Sequence, residues 1–296
     1  MQSKKGFSML ELIFVIVVIG ILSKFGVEFL AQAYRNFIFS NINNRLQAQS
    51  EAAVEFIAKR LEHRLKGSEV AREGLAEAAT SIKNDTVSGE TWTVLEWVGE
   101  DVDGLRGDTA AYWSGILDLD DLSTTNANLV SPGTNSNLLA TNITNLGGTG
   151  LADAAISFVR GTQDITGYGW DGTGLVANNA GRSIHPIGAN GSVLTGNFAD
   201  VEVYEFYKLS WTAYGILHDE NDNLWLYYNY QPWNGDIITT HNTRELIMEN
   251  VSSFQFRPVD DLLKIQVCVH SDGIIDGDAT TTVSGEYAIC KEKTVF

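Results

Sequence analysis

The stretch KKGFSMLELIFVIVVIGIL, residues 4–22, decides how the rest of the chain is read. Two lysines and a glycine precede a run as apolar as a membrane span, and one acid, Glu11, stands five residues past that glycine. Continued to residue 30, the run from Phe7 would cover about 36 Å as a helix, enough for the hydrocarbon core of a bilayer. The other charges within it, Lys24 and Glu28, lie toward its far end, where long side chains reach the headgroups. Lys4 and Lys5 have no acid beside them, a bias that holds the N-terminus in the cytoplasm and sends the remainder across. A carboxylate in hydrocarbon must be neutralised, paired or hydrated, so Glu11 needs a reason. One reason is local: near a helix start its charge favours the positive end of the helix dipole. A plain uncleaved anchor accounts for the lysines and the length but gives Glu11 no partner. A cleaved secretory signal fits less well. The small-x-small triplet Ala31-Gln32-Ala33 lies well past the apolar core, with Lys24 and Glu28 between.

KKGFSMLEL resembles the processing site of type IV prepilins and pseudopilins, over about the first 30 residues. Basic residues, Gly, Phe, Glu and an uninterrupted apolar run occur together at the family's spacing. The resemblance implies a leader of residues 1–6, removed after Gly6 by a membrane prepilin peptidase, and N-methylation of the new first residue, Phe7. It implies that Glu11 pairs with the free amine of a neighbouring subunit, so that both charges are buried together as helices pack into a filament. A buried acid paired with an amine costs far less than an acid alone. The implied partners are the peptidase, other pilin or pseudopilin subunits and the inner membrane. The implied location is a single pass through the bacterial inner membrane with the C-terminal head in the periplasm, then a filament that can reach the cell surface.

The apolar run passes into an amphipathic one. The 40 residues from 27 to 66 contain neither Gly nor Pro. Leu30, Tyr34, Ile38, Ile42, Leu46, Val54, Ile57, Leu61 and Leu65 recur mostly at steps of three or four, which predicts one helix over residues 7–66 whose second half, 31–66, lays a stripe on a folded body. Gly20 and Gly26 interrupt the apolar half. Glycine weakens a helix by about 1 kcal/mol relative to alanine; the pair suits close packing against another span, and the pilin resemblance implies a hinge there instead, since helices of such filaments can melt near glycines.

Residues 67–296 read as a β-rich head. TWTVLEWV, AYWSGILDL, AISFV, the aromatic pair VEVYEFYKLSWTAYGIL and LWLYYNYQPW around the turn HDENDN, then NVSSFQFR, LLKIQVCVH and EYAICKE are strand candidates. SEVAREGLAEAATSI fits a short helix or a strand and loop. Residues 119–200 are dominated by Asn, Thr, Ser and Gly and predict long loops of the kind that select partners. The expected class is α+β, a long N-terminal helix packed on an antiparallel sheet. Cys268 and Cys290, 22 residues apart, each fall in a predicted strand. They are a disulfide if the strands are neighbours or two buried thiols if not, and export of the head to an oxidising compartment favours the disulfide.

The formal charge of −17 works against nucleic acid as a partner of the head. His63, His185, His218, His241 and His270 form no metal-spaced pair and sit beside no nucleophile pattern, and no Gly-rich phosphate loop is present. No enzymatic activity is legible. Two acidic, glycine-kinked stretches offer oxygen ligands for Ca²⁺: EDVDGLRGD, with Asp101, Asp103 and Asp108, and SDGIIDGDATTT, with Asp272, Asp276 and Asp278. Neither matches the EF-hand pattern, and Asp-Gly is also a common turn dipeptide. The expectation is a minor pilin or pseudopilin whose work is assembly and recognition. A DNA-uptake pilin and a membrane-anchored periplasmic binding protein that never polymerises are the rival readings.

Overall fold

Ser8 opens the N-terminal helix. Its backbone is extended, and its hydroxyl and carbonyl oxygens accept the Glu11 amide at 3.3 and 3.1 Å. In this computed structural model, which describes residues 8–84, 87–240, 243–260, 262–271 and 288–296, helix α1 then runs unbroken from Met9–Leu61. It passes through Gly20 and Gly26 without interruption, and nothing lies within 4 Å of where a side chain would start at either. The helix ends four residues before Leu65, although the apolar track continues to it. Arg64 there pairs with Gly99 of a strand, and the Leu65 amide donates to the Val98 carbonyl at 2.8 Å, so tertiary pairing takes the backbone out of the helix.

After the helix come β1 (Val70–Arg72), β2 (Thr80–Ser81) and β3 (Val94–Gly99). The strand-and-loop alternative for SEVAREGLAEAATSI is therefore the one adopted. Residues 100–211 then leave the sheet before it resumes, and they hold α2 (Val102–Arg106), β4 (Asn128–Val130), α3 (Ser136–Asn145), β5 (Ala155–Phe158), β6 (His185–Pro186), β7 (Gly188–Asn190), β8 (Val193–Thr195) and β9 (Tyr207–Ser210). The chain returns through β10 (Thr212–His218), β11 (Leu224–Tyr230) and β12 (Arg244–Met248). β10 pairs antiparallel with β3, Thr212 opposite Gly99 through Leu217 opposite Val94. The result is a six-stranded sheet in the order β12-β11-β10-β3-β1-β2, with the whole insertion spliced between two neighbouring strands. A separate three-stranded sheet follows: β13 (Val251–Val259), β14 (Leu262–His270) and β15 (Ala288–Val295), in chain order. Cys268 and Cys290 face each other across β14 and β15 and are joined as a disulfide.

The α+β class is thus observed, with three corrections. AYWSGILDL forms no strand; it contributes one bridge, Ile116 to Phe206, and its Trp113 and Leu117 go into a core. Residues 119–200 are turn-rich, but they also carry α3 and short strands. Together with neighbouring residues they enclose their own apolar cluster, in which Leu139, Ile156, Leu194, Phe198 and Leu209 are fully buried. The amphipathic stripe meets the head only from about Ile42 onward. Leu30 and Tyr34, placed on that stripe by periodicity, are 67 and 66% exposed.

Where the stripe does meet the head, Leu46, Val54, Ile57, Ala58 and Leu61 are buried in one cluster with Trp97, Ile216, Phe254, Ile265 and Val295. The helix packs on β14 and β15, and more lightly on β3 and β12. Polar ties fix the junction. Lys293 of β15 reaches Glu55 of the helix at 2.7 Å, and Arg64 donates to the carbonyls of Leu61 and Phe296 at 2.8 and 3.1 Å. Arg64 also pairs with buried Glu69, whose other oxygen accepts the Gly67 amide at 2.7 Å.

Candidate functional site

The helix has two halves with opposite surroundings. From Met9 to Leu30 all sixteen large apolar side chains are exposed, Leu10 at 80%, Phe14 at 68% and Phe29 at 71%. They lie on every face. A helix that is apolar all round belongs inside a protein or inside a membrane. Burying one such side chain is worth about 1.5–3 kcal/mol, so leaving sixteen in water is untenable by tens of kcal/mol. The segment is long and apolar enough to cross a membrane. Among the described residues neither Glu11 nor Lys24 nor Glu28 makes an ion pair.

At the start of this segment Ser8 and Glu11 stand in the S-x-x-E arrangement of a capping box, of which the bond from the Glu11 amide to the Ser8 hydroxyl is formed. Glu11 is the one acid of the first turn, where the helix dipole favours it. The capping pattern is a second local reason for that residue, visible in the sequence. Gly6 and Phe7 lie outside the described residues.

The candidate calcium ligands separate into two cases. Asp272, Asp276 and Asp278 lie outside the described residues. Asp101, Asp103 and Asp108 do not converge, and no group of three His, Cys, Asp or Glu side chains suited to a metal occurs among the described residues. Asp101 instead caps α2. One of its oxygens accepts the Gly104 amide at 3.1 Å, its carbonyl accepts the Trp113 indole N–H at 3.0 Å, and its amide donates to Leu209. The second carboxyl oxygen is buried without a partner. Burial, opposed by the Gly104 bond and reinforced by nearby Asp103, pushes its pKa up to about 6.

A raised carboxyl pKa means that the folded state prefers the neutral form. This contribution to stability is therefore complete below the unfolded value and is lost as pH rises through about 6. Between pH 5 and pH 7.5 this group pulls the thermal midpoint down, against the opposite pull of His185, whose lowered pKa favours the fold as pH rises; Asp101→Asn, which cannot ionise, should therefore show a midpoint that gains on the wild type's across the range. Melting curves across this range check it, and an unchanged slope in the variant would refute the assignment.

Sequence reasoning missed a concave site on the insertion. Phe158, Arg160, Arg182, His185, Glu202 and Tyr204 line a cavity of about 500 Å³. They come from three stretches far apart in sequence, and no local pattern joins them. No protein-family model, no curated protein and no solved structure matches the chain.

Proposed function

We propose that the protein is a non-catalytic structural subunit of a filament, a minor pilin or pseudopilin of a type IV pilus or type II secretion pseudopilus. It is processed after Gly6, methylated at Phe7, held in the inner membrane by its N-terminal helix with the head in the periplasm, and assembled through that helix. The observation that carries this reading is the division of one continuous helix. Its second half is built into the head, and its first half is apolar on all sides and unpartnered, directly behind the Lys-Gly-Phe stretch and with Glu11 in its first turn. The helix dipole and the Ser8 cap favour Glu11 in any helix that starts here, but neither neutralises its charge inside the span, which the freed amine of another copy would do. A chain near 300 residues is large for a major subunit, which favours a minor one by family analogy.

Mass spectrometry of the N-terminal peptide from cells with active prepilin peptidase tests the reading. The expected product begins at methylated Phe7. Retention of residues 1–6 would overturn it in favour of a membrane-anchored protein that stays monomeric.

A further inference from the structure

The cavity on the insertion lies between the end of β5, the turn before β6 and the loop before β9, away from the strands that receive α1. Its size falls in the range of small-molecule sites. Phe158 and His185 are each 3% exposed, with ring centroids 5.5 Å apart. The Nδ1 atom of His185 is buried without a hydrogen-bond partner. Burial, then the charge of Arg182, lowers the His185 pKa to about 4, so the ring is neutral at pH 7 and adds no charge.

Four charges remain around it: Arg160, Arg182, Asp200 and Glu202. They sum to zero, in a chain with 37 acids and 20 bases. Among the described residues no ion pair joins these arginines to these acids. Arg182 spends its Nε on the Val176 carbonyl at 2.8 Å, and its outer N–H groups meet no partner among the described residues. Among the described residues Arg160 makes no hydrogen bond or ion pair; its charge acts on Tyr204. The Glu202 carboxylate beside Tyr204 is the main influence that raises the Tyr204 pKa. Arg160 and Tyr204 also line an adjoining groove of about 340 Å³, whose apolar wall is Leu119, Val159 and Phe206, exposed by 40, 49 and 55%.

An anion alone would gain the two guanidinium forks but meet two carboxylates, and a cation alone would meet the reverse. A ligand carrying both signs gains from all four, and the arginine fork suits a carboxylate. We propose that this cavity binds a small zwitterion of the α-amino-acid type, its carboxylate toward Arg160 and Arg182, its ammonium toward Asp200 and Glu202, and an apolar side chain in the adjoining groove. The proposal goes beyond the filament reading and does not depend on it.

Isothermal titration calorimetry on the full chain in detergent micelles tests it, with L-phenylalanine as probe. Two analogues each lack one charge: 3-phenylpropanoate has no ammonium, and 2-phenylethylamine has no carboxylate. The expected result is saturable one-site binding of L-phenylalanine, with both analogues at least tenfold weaker. Arg160→Gln and Glu202→Gln should each weaken binding at least fivefold with an unchanged unfolding midpoint. Because Arg160 bonds to nothing among the described residues, its variant has no folding contact there to lose, and in the same micelles it also corrects for partition of the probe into detergent. Absence of saturable heat at millimolar probe overturns the site. Equal binding of either analogue, or unaltered binding by Arg160→Gln, overturns the zwitterion assignment. Neither failure touches the helix or its processing.

Discussion

Replacing Arg72 by alanine is expected to destabilise the head by about 3–5 kcal/mol, because it leaves a carboxylate buried without its counter-charge. Glu96 stands in the middle strand β3 with no exposed surface. Its two oxygens accept from Arg72 Nε at 2.5 Å and from the Tyr230 hydroxyl at 2.8 Å. The rest of the Arg72 guanidinium donates to the carbonyls of Glu77 and Trp170 at 2.7 and 2.6 Å. One side chain thus ties the sheet, the loop after β1 and the insertion together. Burial raises the Glu96 pKa, opposed by the charge and hydrogen bond of Arg72 and by Tyr230. Removing Arg72 removes the larger opposing influences, so the folded pKa rises further.

For a carboxyl group raised in the folded state, stability is retained at low pH and lost as pH rises through the folded value. The Arg72→Ala defect should therefore be larger at pH 8 than at pH 5. Denaturant unfolding at the two pH values measures both. A loss below about 1 kcal/mol that is also independent of pH would show the pair to be dispensable. Changing Arg72 and Glu96 together to methionine and leucine should recover part of the loss, since a well-packed apolar pair avoids the desolvation of both charges.

Much of this arrangement was legible from residues alone, and the gaps have physical causes. The long helix follows from a run free of Gly and Pro with a steady apolar track. Its end was read at residue 66 because Leu65 extends the track, and only pairing with β3 stops it at Leu61. The strands β10, β11, β13 and β14 are seven to nine residues long and alternate clearly enough to be read. In the insertion β5 was read from AISFV and β9 falls within VEVYEFYKLSWTAYGIL, but β4, β6, β7 and β8 have two or three residues, too short for a period of two to register. Its core is supplied by residues as distant as Trp113, Leu139 and Leu209, and α3 is written largely in Asn and Thr, which local propensity assigns to turns. β12 was missed because RELIM does not alternate. The disulfide was legible because both cysteines sit in readable strands. The insertion cavity was not, because its charges meet only in three dimensions.

The same substitution at two points of one helix should have opposite consequences. Ile57 has no exposed surface and lies against the sheet cluster that includes Trp97 and Ile265. Ile57→Ala is expected to destabilise the head by about 2–5 kcal/mol, through lost burial and the cavity left behind. Ile16 is 62% exposed and touches no part of the head's core. Ile16→Ala should leave head stability unchanged within about 0.5 kcal/mol, since nothing that folds depends on it. Ile16 matters to a different medium, and Ile16→Arg reveals that. An arginine near the centre of a span costs about 2.5–3.5 kcal/mol of insertion free energy. The fraction of chain recovered with membranes should then fall while the unfolding midpoint in detergent stays where it was. If Ile16→Arg instead lowered that midpoint as far as Ile57→Ala does, the first half of the helix would be part of the head's fold, and the separation on which the filament reading rests would be lost.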